Sequence, residues 1–100
     1  MQIELKDIIK KIVGFRDARY EMQYYNPKDV ALSIVLEASD LMEHFQWKTK
    51  EEIEQYVDGH KDEIGEALAD VLYWVLLMSH DMDIDIMEAL DKRVDLNESS

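Results

Sequence analysis

One proline, Pro27, and three glycines, Gly14, Gly59 and Gly65, are all that this chain of 100 residues offers as strong helix breakers. All-β chains are usually punctuated by turns rich in both residue types, and neither residue is well tolerated inside a helix. The rest of the sequence is rich in Leu, Ala, Glu, Lys, Met and Ile, residues that lose little on entering a helix. The chain is therefore expected to be all-α, and no segment alternates as a strand would.

Helical periodicity divides it. The first segment runs from Ile3 to Met22, with Ile8, Ile12 and Phe15 on one apolar stripe that Ile9 and Val13 widen. Its polar residues Lys10, Lys11, Arg16 and Arg19 form the most basic cluster of the chain. It is expected to end near Tyr24-Tyr25, because the residue before Pro27 is pushed out of helical geometry. Asn26 then caps a second helix, with Pro27 at its first position, that runs to Phe45. Thr49 with Glu52 forms a capping box for a short helix from Lys50 to Val57, and Asp58-Gly59 reads as a turn. The next helix, His60 to Asp81, contains the most apolar stretch, Ala67 to Met78, which suits a helix buried on most sides. After a tight connection at Met82-Asp83-Ile84, Asp85 with Glu88 starts a last helix to about Leu96. The expectation is one domain, residues 1–100: a four-helix bundle with a short extra helix. So small a chain has a thin core, which makes self-association the natural expectation.

Charge narrows the function. Eleven Lys and Arg stand against 23 Asp and Glu, a formal charge of −12. Nucleic-acid backbones and anionic membranes are poor partners for such a surface. No run of about 18 apolar residues is present to span a bilayer. The stretch Met1–Lys11 lacks the apolar centre of a signal peptide, and there is no cysteine, so a cytoplasmic location is expected.

The informative acids interrupt apolar segments. Glu37 and Asp40 lie three residues apart and share one face of the second helix. Glu63, Glu66 and Asp70 form a stripe on the fourth, where Asp70 stands alone among Ala67–Met78. Buried carboxylates cost several kcal/mol unless paired or bound to a cation. Salt bridges to Arg16, Arg19 or Arg93 are one solution. A hard divalent ion is the other, and oxygen-only donors suit Mg²⁺, with Mn²⁺ as an alternative, rather than zinc or copper. His44 continues the Glu37/Asp40 stripe as a surface residue or one just behind the ligands, and His60 reads as part of a turn. His80-Asp81 is similar to the metal doublet of His-Asp phosphohydrolases, but the other ligands of that fold are not visible.

Glu37-Ala-Ser-Asp40-Leu-Met-Glu43-His-Phe45-Gln46-Trp47, followed by Ala67-Leu-Ala-Asp70-Val-Leu, resembles the MazG-like nucleoside triphosphate pyrophosphohydrolases. The dCTP-pyrophosphatase-like branch is the nearest. Phe15-Arg16-Asp17-Ala18-Arg19, Asn26-Pro27-Lys28, Ile84-Asp85 and Lys92-Arg93 with Asn97 fit in the same order. The resemblance implies a Mg²⁺-dependent homodimer or homotetramer that cuts nucleotides between the α and β phosphates. Glu37, Asp40 and Asp70 are the expected ligands, and Glu43 an outer ligand or general base. The family signature, Glu-x-x-Glu and then Glu-x-x-Asp, is altered twice: Asp40 replaces a Glu, and Ala67 stands where the third Glu belongs. Positions three and four before Asp70 both lie within about 60° of it around a helix, so Glu66 is the candidate replacement and Glu63 a third candidate. By the same resemblance Phe15, Trp47 and Trp74 hold the base, while Arg19, Lys28, Lys92, Arg93 and Asn97 meet the phosphates. Glu21 and Tyr25 replace a further Trp and His of the family. A non-catalytic helical module, antitoxin-like and dimerising through these helices, is the competing expectation, favoured by Ala67.

Overall fold

A computed structural model describes residues 2–19 and 26–99, and these contain five helices and no strand. They are α1 (Leu5–Ala18), α2 (Pro27–Glu43), α3 (Lys50–Gly59), α4 (Lys61–Asp81) and α5 (Ile86–Ser99). The all-α expectation holds. The expected end of the first helix near Tyr24-Tyr25 lies outside the described residues, as does Glu21. Arg19 already leaves the helix, donating its amide to the Arg16 carbonyl at 3.1 Å.

Local chemistry sets most of the boundaries. The Asn26 side chain accepts from the Asp29 amide at 3.0 Å, and Pro27 takes the first helical position where no amide is needed. The Thr49 box is reciprocal. Glu52 N–H donates to Thr49 Oγ1 at 3.2 Å, and Thr49 N–H donates to Glu52 Oε1 at 3.0 Å. That backbone hydrogen bond holds the Glu52 carboxyl below its ordinary pKa. α3 runs two residues beyond the expected Val57, through Asp58-Gly59. The turn falls instead at His60, whose φ of −133° breaks the helix.

The α4–α5 connection closes with paired hydrogen bonds. Ile84 N–H donates to the Ser79 carbonyl at 2.8 Å and Asp83 N–H to the His80 carbonyl at 3.1 Å, a Schellman pattern. Asp83 takes the left-handed position with φ 54°. Aspartate is one of the few side chains that visit this region readily. Asp85 then caps α5, its Oδ1 accepting from the Glu88 amide at 3.1 Å.

The chain forms two compact units, residues 1–24 with 76–100 and residues 25–75. In the first, Ile12, Arg16, Leu76, Leu77 and Ser79 are buried. Arg16 is only 2% exposed. It ion-pairs with Asp81 at the C-terminal end of α4 and with Asp17, whose Oδ1 lies 3.2 Å from Nε. Thus Arg16 is committed to these partners. Asp81 is likewise committed to an ion pair rather than standing as half of a His-Asp metal doublet, though His80 Nδ1 lies 3.4 Å from it.

In the second unit Val30 and Ala67 are buried, whereas Leu32, Val35, Leu36, Met42, Leu68 and Leu72 are exposed. The expectation that Ala67–Met78 is buried on most sides therefore fails for Leu68 and Leu72 within one chain. The five helices of the described residues do not supply enough surface to cover them.

The Arg16–Asp81 pair makes a prediction. Burial is the largest single influence on the Asp81 carboxylate and disfavours it, but the hydrogen bonds and charges of Arg16 and His80 together outweigh it and keep its pKa below the usual value. A depressed pKa contributes stability above the unfolded-state value that is lost as pH falls through the folded-state value. Asp81→Asn should lower stability at pH 7 by about 1–3 kcal/mol, since it strands a buried guanidinium. Urea unfolding at fixed protein concentration measures this, and the gap to the parent should close as the pH is lowered through the acid range.

Candidate functional site

Capping at Asn26 and Pro27 sets the phase of α2, and that phase places Glu37 and Asp40 on one face. The register of α4 likewise aligns Glu63, Glu66 and Asp70 along one exposed stripe. The two faces meet at Glu37. Its carboxyl is half-buried and its pKa is raised, first by burial, then by the charges of Asp70 and Asp40 and by a hydrogen bond shared with Asp70. Every one of these influences pushes the same way. Carboxyls that share a hydrogen bond are those of which one prefers to hold a proton.

Asp40, Asp70, Glu43 and Glu66 are exposed, so of the expected acids only Glu37 is drawn inward in the single chain. Among the described residues, no three His, Asp or Glu side chains close tightly enough to enclose an ion. Glu37 nonetheless senses the charges of both exposed aspartates, Asp40 and Asp70. The donors are carboxylate oxygens, which fits a hard divalent cation. Ala67, where a third Glu would stand, points into the core, whereas Glu66 shares the exposed face of Asp70.

The aromatic candidates differ sharply in setting. Trp47 is 87% exposed in the loop after α2. Trp74 is half-buried, edge-on to Tyr73 with ring centroids 5.1 Å apart. Phe15 is exposed on α1, and the Arg19 guanidinium sits 5.1 Å from its ring centroid. Lys28 is exposed in the first turn of α2, and Arg93 and Asn97 are exposed on α5. Lys92 pairs with Glu88 at 2.8 Å. Thus Glu37, Asp40, Glu43, Glu66, Asp70, Lys28, Trp47 and Trp74 belong to the second unit, and Phe15, Arg19, Arg93 and Asn97 to the first.

Two features escaped the sequence. His44 is half-buried, with Nδ1 2.6 Å from the Tyr56 hydroxyl, and Tyr56 stacks on His60 at 3.8 Å. The four-residue spacing of Tyr56 and His60 was a signal for the stack, but nothing local links His44 to Tyr56. The second is a cleft of about 340 Å³ in the first unit, lined by Leu5, Ile9, Ser79, His80 and residues 83–86; it contains none of the expected site residues.

Known proteins are similar to this chain. dCTP pyrophosphatase 1 of Mus musculus is 27% identical over 95 residues, covering 93% of this chain and 56% of that protein. The Homo sapiens protein of the same name is 28% identical over the same span. The chain thus spans little more than half the length of these curated relatives. A solved pyrophosphatase from Archaeoglobus fulgidus DSM 4304 superposes with a TM-score of 0.91 at 30% identity, covering 99% of this chain and 93% of that one. Residues 32–100, from the middle of α2 to the last residue, match the family model for MazG-like proteins. With the acidic faces of α2 and α4 inside the matched region, the chain belongs to the MazG-like family.

Proposed function

We propose that this protein hydrolyses (deoxy)nucleoside triphosphates between the α and β phosphates, releasing a nucleoside monophosphate and pyrophosphate, and that it serves in house-cleaning of a cytoplasmic nucleotide pool. The observation that carries this is the raised pKa of Glu37 beside Asp70 and Asp40, in a chain of the MazG-like family. The printed names of its relatives support the same chemistry.

Glu37, Asp40, Asp70 and Glu66 would hold Mg²⁺, or Mn²⁺ in its place. A divalent ion there would neutralise the triphosphate and polarise its phosphorus–oxygen bonds. The acidic surface gives this requirement a physical reason, because a protein of charge −12 repels a polyanion that arrives without cations. Glu43, exposed one turn beyond Asp40, accepts the proton of the attacking water or orients that water. The water oxygen bonds to the α phosphorus as the bridging bond to the β phosphate breaks, and pyrophosphate leaves with the electron pair. Within the second unit, Lys28 is the proposed phosphate contact, and Trp47 and Trp74 the proposed faces for the base.

A homo-oligomer completes this reading. On α2, Leu32, Val35 and Met42 follow a three-then-seven spacing, with Leu36 beside them, and all are exposed. On α5, Met87, Leu90 and Val94 follow a three-then-four spacing and are likewise exposed. Stripes of this kind are the seams of helix pairs, and a second copy of the chain is the occupant proposed for them. The competing non-catalytic module draws its support from buried Ala67 and from the open spacing of the acids.

Three outcomes are expected. Pyrophosphate release from a panel of dNTPs with Mg²⁺ should fall at least about 100-fold in Glu37→Gln and in Asp70→Asn, the scale for losing a group that stabilises transition-state charge. A folded parent with no such activity would leave the helical-module reading standing. In Mg²⁺ titrations, Glu66→Gln should weaken binding and Glu63→Gln should not; unchanged affinity in the Glu66 variant would remove Glu66 from the ligand set. Light scattering on a size-exclusion column should show the parent as a dimer or tetramer and Val35→Glu shifted toward monomer.

A further inference from the structure

Trp47 stands almost bare to solvent, yet the backbone around it is closely specified. Phe45 N–H donates to the Met42 carbonyl at 2.9 Å, and Lys48 N–H donates to the Phe45 carbonyl at 3.1 Å. Side chains on both sides of Trp47 converge on one ring, that of Tyr56 in α3. His44 Nδ1 lies 2.6 Å from the Tyr56 hydroxyl, and the Phe45 ring meets Tyr56 edge-on at 6.4 Å. Beyond Trp47, Lys48 Nζ sits over the Tyr56 ring, 4.2 Å from its centroid. His60 stacks on that ring at 3.8 Å with planes only 6° apart. Two groups at these distances cannot share one face of a ring, so Lys48 and His60 sandwich it. His60 is fixed in turn, its Nδ1 2.7 Å from the Tyr56 carbonyl.

Tyr56 is therefore gripped by three of the five residues from His44 to Lys48, the stretch that includes Trp47, and by His60 just past the end of α3. We infer that Tyr56 is a positioning residue for nucleotide binding. It clamps the residues flanking Trp47 and so holds the indole ready for a base to stack on it. The inference rests on the reading of Trp47 as a base-stacking residue. Its physical basis is preorganisation: a side chain already ordered in the free protein loses less freedom when the ligand arrives. A Tyr56 that served only as filling would have no reason to engage the hydroxyl, the cation and the stacked ring at once.

The test pairs a spectroscopic readout with kinetics on the full chain. In a Trp74→Phe background, which leaves Trp47 as the sole indole, fluorescence anisotropy reports the mobility of Trp47. It should fall in Tyr56→Leu and fall less in Tyr56→Phe, which keeps the sandwich and loses only the hydroxyl. In the chain with both tryptophans, KM for dCTP should rise about tenfold in Tyr56→Leu with kcat nearly unchanged, the signature of lost binding without lost chemistry. Combined with Trp47→Ala, Tyr56→Leu should add nothing further. Lys48→Met leaves α3 untouched and should give a smaller change in the same direction, which keeps the test informative where Tyr56→Leu fails to fold. Unchanged Trp47 anisotropy in folded Tyr56→Leu and Lys48→Met would overturn the inference. So would a full tenfold effect of Tyr56→Leu on top of Trp47→Ala. A Trp47→Ala protein with the parent's KM would instead overturn the stacking reading on which the inference rests.

Discussion

Like-charged carboxyls brought together repel, and each makes the other hold its proton more tightly. Glu37 and Asp70, from α2 and α4, share a hydrogen bond with Asp40 close by, and the response is visible in the raised pKa of Glu37. A proton or a hard cation relieves that repulsion. The placement of both helices, through the Asn26 cap and the register of α4, amounts to holding these groups against one another.

The opposite solution appears in the other unit. Arg16 is a fully formed cation in a buried setting, and Asp81 and Asp17 neutralise it. There the charges are matched and the pair is structural. Around Glu37, burial and the neighbouring acids all disfavour the charged form, which is the environment of a group awaiting a ligand. The contrast separates the two kinds of buried charge in this chain more clearly than burial does, because Arg16 is the more buried of the two.

Features whose partners lie within one helical turn were legible in the sequence. Asn26 with Asp29, Thr49 with Glu52 and Asp85 with Glu88 all form as their spacing implied. The acidic faces were legible for the same reason, since a helix fixes which residues share a side. Long-range pairs were not. Arg16 and Asp81 lie 65 residues apart, and the sequence offered Arg16 only as a basic surface residue or a partner for the acidic stripes. Asp58-Gly59 looked like a turn because of its residue types, yet the helix runs through both. The apolar stretch of α4 looked buried on most sides because composition does not say which face finds a cover, and Leu68 and Leu72 are exposed. The tie from His44 across the loop to Tyr56 depends on loop geometry that no local pattern encodes.

The central claim is that the acids around Glu37 serve cleavage at the α phosphorus of a nucleotide. The most direct measurement is phosphorus NMR of the products formed from dCTP and Mg²⁺ in ¹⁸O-labelled water. Pyrophosphate and a nucleoside monophosphate should appear, with the heavy oxygen on the monophosphate. Orthophosphate and a diphosphate, or heavy oxygen on the pyrophosphate, would contradict the account.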